Sequence, residues 1–253
     1  MPDFADTRTV LETHAVGPMQ CNCSIFGCRN SRECIIVDPG GDADLILDRV
    51  TALGLHVRFV LITHAHFDHV IAARAIKNET GAKICIHPKD KWLYRIAFIQ
   101  YRLFGVKGDS PPRPDWWLGE DDQIPIGRFH ADVIHTPGHS PGSCCFHVAE
   151  EKLLFSGDTL FRRSVGQWTY PGGSFAALVQ SILQKLFVLP DDTRVIPGHG
   201  AETTIGEERR LNPYLQPEKI AELQREEENK PGLFKQILSL LGGLLGLRGQ
   251  NEE

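Results

Sequence analysis

The sequence has no apolar stretch near the roughly 20 residues that a bilayer-spanning helix needs. Its first residues, Met1-Pro2-Asp3-Phe4-Ala5-Asp6, are acidic and carry no apolar run, so no secretory signal is expected there. The expected compartment is therefore the cytoplasm. An excess of basic residues is also lacking: 27 Lys and Arg stand against 32 Asp and Glu, for a formal net charge of −5. That balance argues against a phosphate-tracking surface, and the pairs Arg162-Arg163 and Arg209-Arg210 are too local to make one. Nucleic acid is not an expected partner. Nor do the cysteines come in an even number. There are seven, and Cys21, Cys23, Cys28 and Cys34 crowd a region that reads as strands. In a reducing compartment these are expected to be free, buried thiols. The alternative, a separate structural zinc site, is a poorer match to the usual ligand spacings.

The chain does have an ordinary globular balance, with 42% hydrophobic and 23% charged residues in 253. A core that buries an active site is within reach at this length. Residues 8–16, 20–28 and 33–37 read as strands. The spacing of Leu45, Ile46, Val50 and Leu53 predicts a helix over 42–53, stopped by Gly54. Val57 to Ile62 is a buried-type strand, followed by a helix expected over 69–80 and a strand over 83–86. This alternation argues for an α/β architecture. Residues 89–104 form an aromatic-rich helical stretch. Strands are expected at 129–134, 143–148, 152–155 and 193–196, with helices at 174–187 and 216–230. The run Val133-Ile134-His135-Thr136-Pro137-Gly138-His139 is echoed by Val195-Ile196-Pro197-Gly198-His199. Two similar halves suit a two-sheet core covered by helices on both outer faces.

Four of these strands end in turns that offer metal-ligand side chains. The first, Thr63-His64-Ala65-His66-Phe67-Asp68-His69, offers His64, His66, Asp68 and His69. The others offer His139, Asp158 and His199. Loops at strand ends are where a rigid scaffold displays functional groups. One histidine near a turn means little, and Asp68 alone could be a helix cap. Four ligand-type residues within six positions have little structural use. The remaining histidines, including His135, lie outside this pattern. A set of imidazoles and carboxylates suits zinc and tolerates iron or manganese. Seven candidates exceed the usual four around one zinc, so two ions sharing a ligand is the natural arrangement. In an extended loop His64 and His66 point to the same side and can chelate one ion. Asp68 and His69 face a second, and a carboxylate such as Asp158 can bridge. Two metals about 3.5–4 Å apart lower the pKa of a bridging water and polarise a substrate carbonyl.

His64-Ala65-His66-Phe67-Asp68-His69, with Gly138-His139, Gly157-Asp158 and Gly198-His199, resembles the metallo-β-lactamase superfamily over roughly residues 10–215. The resemblance implies an αββα sandwich of two mixed β-sheets flanked by helices, with the metals at one edge of the sheets. It implies that His64, His66 and His139 bind one metal and that Asp68, His69 and His199 bind the other. Asp158 would lie between them, and Asp68 counts as catalytic as well as a ligand. The branch that opens β-lactams commonly has Cys where Asp158 stands. Val37-Asp38-Pro39-Gly40, Gly157-Asp158-Thr159-Leu160-Phe161 and Asn212-Pro213-Tyr214 look like the glyoxalase II group, the hydroxyacylglutathione hydrolases, and most like their short bacterial members. These resemblances imply hydrolysis of a small-molecule thioester or ester, in which a bridging hydroxide attacks the carbonyl and the metals stabilise the oxyanion. They also imply that Asp38 braces a loop and is not a ligand. Persulfide dioxygenases, which share the fold and use one iron, supply the alternative reading.

One departure concerns the substrate. These enzymes place Arg or Lys after a glycine where this chain has Gly166-Gln167-Trp168-Thr169, and a neutral Gln167 cannot pair a carboxylate as a cation does. Arg162, Arg163, Gln167 and Arg210 are the candidate substrate contacts. The helical stretch over 91–104 is apolar over most of its circumference, which predicts core or interface packing or, alternatively, a wall over the substrate cleft. We divide the chain into a metallo-hydrolase domain over 1–230 and an apolar tail over 231–253. In the tail, Leu233, Phe234, Ile237, Leu238, Leu241, Leu244 and Leu245 recur at helical spacing. A homo-oligomer formed through 91–104 or through this tail is a further expectation.

Overall fold

The computed structural model describes residues 8–106 and 108–229. The tail over 231–253 and its expected helix lie outside them. The first sheet takes the N-terminal half. Strands β1 (Thr9–Val16), β2 (Cys21–Cys28) and β3 (Glu33–Val37) form an antiparallel meander. After helix α1 (Ala43–Ala52), β4 (His56–Leu61) adds in parallel to β3. Helix α2 (Ala73–Thr80) leads to β5 (Lys83–Ile86), and α3 (Lys91–Leu103) leads to the short β6 (Trp116–Trp117), both strands again parallel. The sheet order is β1-β2-β3-β4-β5-β6.

The second sheet comes next with β7 (Gln123–Ile126), β8 (Phe129–His135), β9 (Cys144–Val148) and β10 (Leu153–Gly157). A small hairpin, β11 (Leu160–Phe161) and β12 (Ser164–Val165), precedes helix α4 (Phe175–Ser181), which runs on as one π-helical turn through Leu186. Then come β13 (Arg194–Pro197), β14 (Thr203–Thr204), α5 (Ile205–Leu211) and α6 (Pro217–Asn229). The sheet order is β14-β13-β10-β9-β8-β7, with β10 and β13 parallel and every other pair antiparallel. Both sheets are thus mixed.

Side-chain alternation along the strands separates three apolar layers. Ile35, Val37, Phe146, Leu153, Phe155 and Ile196 fill the space between the sheets. Their sequence neighbours Ile36 and Cys34 face α1, α2 and α3 instead. Cys145, Leu154 and Val195 face α4, α5 and α6. This is the αββα sandwich expected above. All seven cysteines are buried free thiols. The helix expected over 69–80 begins four residues later, at Ala73. Phe67–His69 instead form one 3-10 turn, because the side chains there are held by partners across the site. Helix α5, strand β7 and the two-residue strands β6, β11, β12 and β14 are not among the expected elements. Elements of two residues give no periodicity to read.

Candidate metal centre

The turn after β4 belongs to the first sheet, and those after β8, β10 and β13 belong to the second. Their ends are stitched together by backbone bonds. Cys144 N–H donates to the Thr63 carbonyl at 2.8 Å, Gly198 N–H to that of Gly157 at 2.8 Å, and Asn22 N–H to that of Gly198 at 2.7 Å. The seven candidate ligands meet at this junction in two sets.

In the first set, His139 Nε2 lies 3.1 Å from His64 Nε2 and 2.8 Å from His66 Nδ1. Around a tetrahedral zinc with bonds of about 2.0–2.1 Å, neighbouring donors stand roughly 3.3 Å apart, so this spacing is close to that of a chelating triad. Burial pushes His64 well below the ordinary imidazole range and His66 and His139 down to about 4. All three rings are therefore neutral at physiological pH and have a lone pair to give. His139 Nδ1 donates to the Gln167 carbonyl at 2.6 Å, which leaves Nε2 as the free acceptor.

In the second set, Asp68 Oδ2 lies 3.1 Å from His199 Nε2 and 3.7 Å from His69 Nε2, while Asp158 Oδ1 lies 3.6 Å from His69 Nε2. The other Asp158 oxygen stands 3.7 Å from His139 Nε2, so this one carboxylate faces both sets. Burial opposes charge on His69, but the carboxylates of Asp38, Asp68 and Asp158 outweigh it and raise that ring well above its usual value. Burial likewise raises Asp158. The second set therefore calls for positive charge.

A fit test is available from the atoms themselves. His69 Nε2 and Asp158 Oδ1 are buried and have no hydrogen-bond partner. They face each other at 3.6 Å, and the carboxylates around them favour a positive charge there, which a proton on Nε2 supplies in the metal-free protein and a metal cation would supply in its place. The donor set is thus of the histidine-rich kind that holds two metal ions.

Two buried carboxylates outside the ligand sets hold the first turn. Asp38, in a left-handed conformation at φ 50°, accepts Thr63 N–H at 2.8 Å, Thr63 Oγ1–H at 2.6 Å and His69 Nδ1–H at 3.0 Å. It therefore fixes the tautomer of His69 and turns Nε2 to the site. Asp90, just before α3, accepts Ala65 N–H at 2.9 Å, Ser140 Oγ–H at 2.7 Å and Gly142 N–H at 2.6 Å. It ties the His64–His66 turn to the His139 turn. Sequence reasoning missed Asp90, which lies alone in Pro88-Lys89-Asp90-Lys91. It also missed Cys21, whose Sγ is 3.5 Å from His69 Nδ1. Desolvation pushes that thiol up to about 12, so it remains protonated.

The four candidate substrate contacts direct their side chains elsewhere, although the Gln167 backbone touches His139. Arg163 pairs with the buried Glu208 and with Glu207, and Arg210 with Asp191 at 3.2 Å. Gln167 is exposed, its Oε1 accepting Trp168 N–H, and Arg162 is exposed as well. None of them lines the cleft that opens over the metal sets. This cleft, of about 510 Å³, has His66, Asp68, His139, Asp158 and His199 on its floor. Its walls are Met19, Trp92, Ile96, Phe104 and Tyr170, with Gln100 among them. Helix α3 thus supplies one wall, while its Tyr94, Ala97 and Tyr101 pack into the core.

The family model described as the metallo-beta-lactamase superfamily matches residues 16–199. The chain belongs to that superfamily. It is similar to hydroxyacylglutathione hydrolase GloC of Haemophilus influenzae, with 37% identity over 81% of this chain and 97% of that protein. Among solved structures it is similar to BLEG-1, a B3 metallo-beta-lactamase, with a TM-score of 0.76 and 37% identity over 82% of this chain and all of that one. It is also similar to TTHA1623, solved in a di-iron-bound form, with a TM-score of 0.74 and 38% identity over 81% of this chain and all of that one. Relatives named for two different substrates stand at the same identity, so identity does not choose between them. Among the described residues, no helix is long and apolar enough to cross a membrane.

Proposed function

We propose that the chain is a metal-dependent hydrolase of thioesters, acting on a small-molecule substrate in the cytoplasm. The observation that carries this reading is the pair of donor sets sharing Asp158 beneath an open cleft. The likeness to a hydroxyacylglutathione hydrolase supports it, as does Asp158 standing where the β-lactam-opening branch commonly has Cys. Two divalent cations, zinc by the donor chemistry with iron or manganese tolerated, supply Lewis acidity and an activated water when bound. His64, His66 and His139 would hold one ion and Asp68, His69 and His199 the other. Asp158 would be shared, and Asp68 is assigned a catalytic role in addition. Asp38 keeps a proton on His69 Nδ1 and the Gln167 carbonyl keeps one on His139 Nδ1, so both rings turn Nε2 inward; His139 offers its lone pair there, and His69 would offer its own once a metal displaced the Nε2 proton. The apolar cleft walls shield the reacting carbonyl from bulk water, where electrostatic stabilisation would be weaker.

The test is metal content measured alongside turnover of a thioester panel and a cephalosporin. Near two metals per chain with thioester turnover, lost in His66→Ala and in Asp158→Asn, supports the proposal. Turnover that survives both substitutions overturns it. One iron per chain with oxygen uptake would replace it with the dioxygenase reading, and TTHA1623 makes iron the metal to measure beside zinc.

A further inference from the structure

Beyond its metal-binding floor the cleft is mostly apolar, with Gln100 and Tyr170 the polar side chains on its walls. Trp92, Ile96 and Gln100 recur along α3 at helical spacing and present one face, which Phe104, directly after the helix, extends. Met19, from the turn between β1 and β2, and Pro171 close the opposite side. Among the described residues lining the cleft none is Lys or Arg. Glutathione carries two carboxylates, and beyond the metal floor the walls of this cleft offer them indole, isoleucine and phenyl groups and no Lys or Arg. An aliphatic or aryl chain meets surfaces that gain by covering it. Trp92 and Phe104 are 61% and 66% exposed, which is apolar area left open beside a reactive centre. Phe104 is not loosely placed. Its ring stacks on Phe67 at 4.9 Å and 15° between planes, and Phe67 lies between His66 and Asp68 in the metal-binding turn. The wall and the metal floor are thus joined by side-chain packing.

We propose that the substrate is a thioester of an apolar acyl group, medium-chain or aryl, which lies along the α3 face with its carbonyl over the metal sets. This rests on the thioester hydrolase reading above. The volume of about 510 Å³ has room for such a group and sits within the range of small-molecule sites. Trp92 and Ile96 are then specificity-determining residues, reading chain length through buried area.

The experiment uses the metal-loaded full chain and a series of S-acyl-N-acetylcysteamine thioesters from acetyl to octanoyl, with S-lactoylglutathione alongside. A fully buried methylene gives up to about fourfold in kcat/KM, so across six methylenes of a half-open cleft a rise of at least about tenfold is expected. Trp92→Ala and Ile96→Glu should each lower the octanoyl-to-acetyl ratio at least threefold. Phe98→Ala, on another face of α3, should leave that ratio unchanged. Binding of the uncleavable S-octyl thioether, measured by calorimetry, should be at least tenfold tighter than that of the S-ethyl thioether. Turnover that is flat or falls with chain length, or a preference for lactoylglutathione, overturns the inference and leaves thioester hydrolysis standing. Tight octyl thioether binding that Trp92→Ala weakens, with no thioester hydrolysed, overturns the hydrolase reading and keeps the apolar site. A flat series together with a changed solution mass in Trp92→Ala overturns the inference by making this face a subunit contact.

Discussion

Asp90 is wholly buried and touches no candidate ligand, yet replacing it with Asn should weaken both the fold and the metal centre. Asn keeps the size and one oxygen. That oxygen can still accept from Ala65 N–H and Ser140 Oγ–H, as Asp90 Oδ2 does at 2.9 and 2.7 Å. The new amide nitrogen then faces Gly142 N–H, which donates to Oδ1 at 2.6 Å in the parent. Two donors cannot satisfy each other. The loss of a bond to a charged acceptor and the stranding of a buried N–H together come to about 2–4 kcal/mol. Burial raises the Asp90 carboxyl above its usual range, so removing its charge relieves some desolvation and favours the lower end. For a chain of this size each kcal/mol lowers Tm by about 2–4 °C, giving a drop of roughly 4–16 °C. Ala65 stands between His64 and His66, so a displaced turn spoils the first donor set as well. Calorimetry with metal analysis after dialysis reads both effects, with at least about a tenfold loss of metal affinity expected. Ser140→Ala removes only one of the three bonds and should cost about 1 kcal/mol. An Asp90→Asn protein that melts with the parent and retains both metals refutes the argument.

Asp38→Ala removes the acceptor for His69 Nδ1–H and for two Thr63 donors, and metal affinity should fall about 10–100-fold, read by competition with a chelator. At Gly198 an added Cβ would lie 2.2 Å from Asp158 Oδ1 and 2.8 Å from His69 Cε1. Gly198→Ala should therefore lose the second metal before the first, seen as a metal-to-protein ratio falling from two toward one. The bidentate bond from Arg49, at 2.8 and 2.9 Å, holds Glu12 down to about 2 from a usual 4.5. A depressed carboxyl contributes stability above its unfolded value and loses it as pH falls through its folded value. Glu12→Gln should thus cost up to about 1 kcal/mol at neutral pH, since the pair is partly exposed. Urea midpoints should show that gap narrowing below about pH 4.5 and closing toward pH 2. A gap that widens on acidification contradicts the assignment.

The sandwich could be read from the chain because its signals are local. Cys34-Ile35-Ile36-Val37 and Val57 to Ile62 are apolar on both faces because each strand is covered by a helix layer on one side and by the other sheet on the opposite side. The ligands were equally legible, since four of them lie within six residues and each of the others comes just after a strand. The features that could not be read depend on pairing across the fold. Asp90 acquires meaning only when α3 starts beside the turn at Ser140. Cys21 looks like any strand cysteine until β2 is laid against the turn that carries His69. The candidate cations failed as cleft residues for a related reason. Arg163 lies five residues beyond Asp158 in sequence, but the buried Glu208 of α5 draws its guanidinium away.

The parallel order β3-β4-β5 accounts for where the two bracing carboxylates lie. Parallel strands end on the same side of a sheet, so the segments leaving β3 and β5 flank the turn that leaves β4. Asp38 comes directly after β3 and Asp90 shortly after β5, and between them sits the turn carrying His64, His66, Asp68 and His69. Each carboxylate takes a backbone N–H of that turn, Thr63 for Asp38 and Ala65 for Asp90, on the two sides of His64. The turn is therefore held at two points before any metal binds. Its 3-10 geometry at Phe67–His69 results from that constraint, because His69 must reach back to Asp38 while Asp68 reaches forward to His199. The late start of α2 is the local sign that the turn is shaped by its two ligand-bearing partners more than by helix propensity.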